Sequence, residues 1–210
     1  KFSFKNFNTG FFLISLGLFK KIVVTDTLSN VVDLGFANPN SLSIIETLIC
    51  TYSFSLQIYF DFSAYVDIAL GSALLFNIKL PINFNSPYKA TSIINFWERW
   101  HITLTKFLTN FVYFPMARSL NKITFTKSML ITLVVFLIAG IWHGPSWVFV
   151  IFGLLHGLGL VINHTFNKYF NFNLNKFLAW FITFNYVNIT FIFFRSPSID
   201  VAFSMLKNIF

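Results

Sequence analysis

The chain has 210 residues, 56% of them hydrophobic and only 10% charged, against roughly 25% charged in soluble domains. With a mean hydropathy of +0.69, this excludes a water-soluble globular domain and predicts an integral, multi-pass membrane protein. The formal charge of +8 does not imply nucleic acid. The basic residues Lys79, Lys89, Arg99, Lys106, Arg118, Lys122 and Lys127 lie between apolar stretches, with Glu98 as the acid among them. Such a block fits the anionic headgroups of a cytoplasmic leaflet, so the lipid bilayer is the expected partner.

The chain opens at Lys1 and closes on the apolar Phe210. It reads as one membrane-embedded domain, 1–210, incomplete at the N-terminus and at the C-terminus. Residues 1–9 read as an approach to the membrane. Residues 10–24 are apolar except for Lys20 and Lys21, too short for a simple span, and that lysine pair suits the interface. Residues 26–40, with Asp33, Gly35 and Pro39, read as a loop. A long apolar stretch from Leu42 to about Phe76 carries Glu46, Asp61 and Asp67. Carboxylates at such depth are expected to point inward, protonated or hydrogen-bonded.

Two prolines and two asparagines in Pro81–Tyr88 exclude a regular helix there. An amphipathic helix is then expected over 96–111, lying in the membrane plane, with Asn95 as cap and Glu98 as its capping-box partner. Trp97, Trp100, His101, Leu104, Phe107, Leu108 and Phe111 share its apolar face at helical spacing. Tyr113–Arg118 closes that helix, and a basic loop leads to Lys127.

Residues 128–167 contain no Asp, Glu, Lys or Arg, about twice the ~20 residues needed to cross a bilayer. Their centre is polar and bent at Gly140, His143, Gly144 and Pro145. Pro145 lacks an amide proton and disfavours helical geometry at Gly144, so the chain must break there. Broken backbone at membrane depth belongs inside protein or beside a wet cavity. An ionisable side chain next to it is a candidate functional site. The helix before the break, 128–142, is about 15 residues or ~22 Å, short of a full crossing, which would leave His143 inside the membrane. Residues 146–166 and 177–194 are long enough to span, with a short polar loop at 168–176 between them. An amphipathic helix begins at Ile199. No internal repeat is evident, which argues against a transporter built on paired halves.

A single cysteine, Cys50, excludes a disulfide framework. His101, His143, His156 and His164 offer no His-x-x-x-His pair with a glutamate, so no metal is expected. His143 reads as a base acting on a hydroxyl, or else as an imidazole bonded to a carbonyl freed by the break. His156, in Leu154-Leu-His-Gly157, reads as a helix-packing histidine, and His164 as interfacial.

Four motifs carry a resemblance: Tyr59-Phe-Asp-Phe-Ser-Ala-Tyr-Val-Asp67, Asn83-Phe-Asn-Ser-Pro-Tyr88, Asn95-Phe-Trp-Glu-Arg-Trp-His101 and Ile141-Trp-His-Gly-Pro-Ser-Trp147. In this order they resemble the membrane-bound O-acyltransferase family, in particular its alginate-acetylating branch. Gly17-Leu-Phe-Lys-Lys21, Leu155-His-Gly157 and Phe193-Phe-Arg195 extend the likeness over nearly the whole chain. The resemblance implies an all-α polytopic membrane protein with broken or re-entrant helices around a transmembrane tunnel. It also implies acyl transfer, acetyl by preference, from a thioester donor (acetyl-CoA or a carrier-protein thioester) to a hydroxyl of an exported or cell-envelope polysaccharide. No bound cofactor is implied. A periplasmic or extracellular acyltransferase partner and the bacterial inner membrane are. His143 matches the family's catalytic histidine and His101 its second histidine. Trp97, Trp100, Trp142, Trp147, Asn85, Asp61 and Asp67 are the expected tunnel lining. The sequence departs from the family at Glu98-Arg99, where a basic pair is usual, at Asn95 for an acidic residue, and at Ala117-Arg118-Ser119 for a Gly-Gly turn. D-Alanyl transfer to teichoic acid is the alternative within the fold, and a noncatalytic transporter or scaffold the alternative outside it.

Overall fold

A computed structural model of the chain describes residues 3–170 and 174–210. Residues 1–2 of the expected approach and 171–173 of the expected 168–176 loop lie outside the described residues. The elements are helices: α1 (Phe4–Phe19), α2 (Asp26–Ala37), α3 (Ile44–Leu75), α4 (Ile93–Trp97), α5 (Ile102–Leu108), α6 (Phe114–Arg118), α7 (Phe125–His143), α8 (Trp147–Tyr169), α9 (Lys176–Arg195) and α10 (Ile199–Ile209). Four of them, α3, α7, α8 and α9, are long and apolar enough to cross a membrane. The chain forms two compact units, Lys1–Asn83 with Lys207–Phe210, and Phe84–Leu206.

In the first unit the helix begins at Phe4 and continues through a π-helical stretch, Lys20–Thr25, directly into α2. The loop expected over 26–40 is therefore largely helix. Val32, Gly35 and Phe36 are buried on the face of α2 packed on α3, where Gly35 fits against the Cys50 side chain, while Asp26 and Asp33 stay exposed. Small residues let the backbones meet elsewhere too. A Cβ on Gly10 would stand 2.7 Å from the Gly71 carbonyl oxygen, and one on Gly17 the same distance from that of Ala64. This is the close packing that membrane helices use when burial of apolar surface supplies no driving force. Glu46, unexplained by hydropathy, closes a capping box with Ser43 at the start of α3.

In the second unit α7 and α8 form a tight hairpin. Gly140 on α7 faces Gly153 on α8, and Gly157 lies one helical turn further against Leu133 and Phe136. The Gly153-x-x-x-Gly157 spacing puts both glycines on one face of α8. α7 is longer than expected, because Thr124 caps it and the basic Lys127 joins its first turn. At 19 residues it reaches about 28 Å, close to the ~30 Å hydrocarbon thickness, so helix length does not hold His143 short of the far end.

The single amphipathic in-plane helix expected over 96–111 gives way to a re-entrant turn. Ser92, not Asn95, caps α4, and the Asn95 amide instead donates to Glu98. Helix α4 ends after Trp97; His101 adopts the left-handed conformation, φ 44° and ψ 55°, and α5 starts beyond it. The Trp97 carbonyl accepts a bond from the Thr105 hydroxyl at 3.2 Å. The chain then stays helical through a π-helical stretch, Thr109–Tyr113, into α6, and the helix ends at Arg118.

Contacts along the long helices give this turn its depth. Tyr88 accepts a bond from Trp180 near the start of α9, and Ile94 donates to Asn163 near the end of α8. Trp97 meets Phe136 and His156 at mid-helix, and His101 lies within electrostatic reach of His143. The return limb brings the Tyr113 hydroxyl within 2.6 Å of Ser128, back at the start of α7. The segment descends from one end of the hairpin to His101 and climbs back.

Candidate active site

His143 closes α7, and the Gly144–Ser146 turn leads into α8. Gly144 has extended backbone there. Its missing side chain leaves room for the Phe149 ring, 2.7 Å from where a Cβ would stand. The imidazole is walled by aromatic rings, with centroids at 5.1 Å for Phe194, 5.9 Å for Phe152, 6.3 Å for Phe149 and 5.0 Å for Trp142. Among the described residues neither ring nitrogen of His143 has a hydrogen-bond partner, and neither is fully buried. The structure thus shows no bond from His143 to a carbonyl freed by the Gly-Pro break.

His101 stands at the tip of the re-entrant turn, half-buried. Left-handed backbone is unusual for a residue with a Cβ and costs roughly 1–2 kcal/mol, a strain found where surrounding structure fixes a functional conformation.

The other expected lining residues divide. Trp100 is buried, stacked on Phe96 and touching Phe84, Tyr88 and Phe191. Trp97 is buried as well, and its indole N–H donates to His156. It also borders a cavity of about 500 Å³ between the return limb and α7, lined on one side by Thr105, Thr109 and Tyr113. Trp142 touches His143 yet is 64% exposed, and Trp147, 72% exposed, borders a shallow depression with Gly144 and Pro145. Asn85 is exposed, and its backbone pairs with Arg99. Asp61 and Asp67 belong to the first unit, where Lys21 and Lys20 each hold one carboxylate at 2.6 Å.

Sequence reasoning passed over Phe149, Phe152, Phe194 and Thr190. Among 31 phenylalanines no single one stood out, although Phe194 falls within the Phe193-Phe-Arg195 motif. His156, expected to be a packing histidine, is one: fully buried, with bonds to Trp97 and Thr190.

An all-helical membrane domain with a histidine at a Gly-Pro helix break and a second one at a re-entrant tip defines a class. Residues 1–206 match the membrane-bound O-acyltransferase (MBOAT) family, and the chain belongs to it. Among its relatives is a peptidoglycan O-acetyltransferase of Helicobacter pylori, 46% identical over 98% of this chain and 39% of its own length. A probable alginate O-acetylase of Pseudomonas aeruginosa is 32% identical over 92% of this chain and 37% of its own. A teichoic acid D-alanyltransferase of Streptococcus thermophilus is 32% identical over 76% and 44%. The chain spans about two fifths of the length of the curated relatives it matches.

Proposed function

We propose that the protein transfers an acetyl group from a thioester donor to a hydroxyl of a cell-envelope glycan at the bacterial inner membrane. The observation that carries this reading is the His143 imidazole, aromatic-walled but unengaged at both nitrogens. An acceptor hydroxyl gives its proton to His143 as its oxygen attacks the thioester carbonyl. The resulting oxyanion collapses, the C–S bond breaks, and the departing thiolate takes the proton back from the imidazolium. The products are an acetyl ester and a free thiol. We assign His101 the role of stabilising the oxyanion by donating a hydrogen bond to it. Phe149, Phe152 and Phe194 exclude water that would otherwise hydrolyse the thioester.

The relative that acetylates peptidoglycan makes that polymer the first acceptor to test. The test is transfer by the full-length protein in lipid vesicles, with an acetyl thioester on one side and peptidoglycan fragments, with any soluble acyltransferase partner, on the other. Ester-linked acetate on the glycan is the expected product. Transfer of D-alanine but not acetate would move the protein to the teichoic acid branch.

A further inference from the structure

His156 takes no part in the chemistry above, yet it is 0% exposed and engaged at both ring nitrogens. The Trp97 indole N–H, which can only donate, lies 3.2 Å from Nδ1. Nδ1 is therefore the bare nitrogen and Nε2 carries the proton. Thr190 Oγ1 is 2.8 Å from Nε2 and spends its own hydrogen on the Val187 carbonyl at 2.7 Å, so it accepts from Nε2. Every donor has one acceptor, and the arrangement admits a single tautomer.

The three residues sit on three elements. Trp97 ends the descending limb of the re-entrant turn four positions before His101, His156 is on α8, and Thr190 is on α9. Phe152, one turn before His156, meets the His156 ring at 4.6 Å and the His143 ring at 5.9 Å. Phe96 stacks on His156 at 6.1 Å. We infer that His156 is a positioning residue. It clamps the re-entrant limb to α8 and α9, so that His101 and the Phe152 wall stand correctly about His143. A leucine would fill the space without fixing the register, because apolar packing is not directional. The imidazole fixes it with two directed bonds.

This rests on the acyl-transfer reading, and the experiment separates the two. It uses the full-length protein in bilayers, with kcat and KM for an acetyl thioester and nitrogen-15 spectra of labelled histidine. His156→Asn puts an amide oxygen near the Nδ1 position and retains the bond from Trp97, whereas His156→Leu retains neither bond. Misplacement by 1 Å costs about 10²-fold, so His156→Leu should lose about that much in kcat with KM within about twofold, and His156→Asn should stay within about tenfold of wild type. Trp97→Phe, which removes the N–H and keeps a ring, should lower kcat without raising KM and shift the bare-Nδ1 signal of the wild type. It carries the comparison should His156→Leu fail to fold. Equal inactivity of His156→Asn and His156→Leu would give His156 a proton-transfer role and overturn the positioning one. Wild-type kcat in His156→Leu or Trp97→Phe, or no bare-Nδ1 signal, would remove the clamp. If the wild type itself transfers no acyl group, the acyl-transfer reading fails, while the spectrum still decides the clamp.

Discussion

Gly140 on α7 and Gly153 on α8 meet backbone to backbone: a Cβ on Gly153 would lie 2.9 Å from the Gly140 Cα, and one on Gly140 3.1 Å from the Gly153 Cα. No side chain can yield at this contact, so Gly153→Ala must push the helices apart. Overpacking of this kind costs about 1–3 kcal/mol, and here it would also shift His143, one turn beyond Gly140. Gly157→Ala, whose nearest neighbours are side-chain atoms of Phe136 and Leu133 at 3.1 and 3.2 Å, should cost less. Thermal unfolding in detergent together with acetyl transfer would rank the two variants. A harmless Gly153→Ala would contradict the close packing.

The two ion pairs of the first unit should differ in strength. Lys20 and Asp67 have side chains 19% and 16% exposed, Lys21 and Asp61 50% and 48%. Removing one member of a part-buried pair leaves the other unsatisfied, at a cost of about 1–3 kcal/mol. An exposed pair contributes under about 1 kcal/mol. Asp67→Ala should therefore destabilise more than Asp61→Ala, with Lys20→Met/Asp67→Leu recovering much of the loss. Equal effects in equilibrium unfolding would refute this ranking.

Topology follows from the charges at the two ends of the hairpin. Lys122 and Lys127 precede or open α7, and the Lys168 ammonium lies 3.9 Å from the Phe125 ring, so the end of α8 stands beside the start of α7. Lys176 opens α9, while Arg195 closes it at the His143 end. From the excess of lysine we predict that the first end is cytoplasmic. A cysteine label at Lys122 should react from the cytoplasm, and one at Trp147 from the opposite side. The reverse pattern would invert the topology.

Much of this was legible in the sequence because composition dictates solvent, and because Gly144-Pro145 can only be a break. Spans 146–166 and 177–194 emerge within a few residues of α8 and α9. The re-entrant turn was not legible. Residues 96–111 have the periodicity of one amphipathic helix, and nothing local marks His101 as left-handed. Trp97 and Trp100, both before His101, are buried in the core, and the chain reverses at His101 into α5. Asp61 and Asp67 were legible as polar groups needing partners, but their partners come from Lys20 and Lys21, some forty residues earlier. The wall of His143 was hidden by the abundance of phenylalanine, since only the packing selects Phe149, Phe152 and Phe194.

The central claim is that His143 is the base, and His143→Gln in the full-length protein tests it most directly. Glutamine retains hydrogen bonding but not basicity, and the Gly144-Pro145 turn does not depend on the imidazole, so the variant should insert and fold at normal yield. General-base catalysis contributes typically about 10²–10⁴-fold, and acetyl transfer should fall by at least the lower of these factors. Membrane-protein yield and glycan acetylation are measured on the same samples. Normal yield with acetylation lost is the predicted result; normal yield with acetylation near wild type would contradict the assignment.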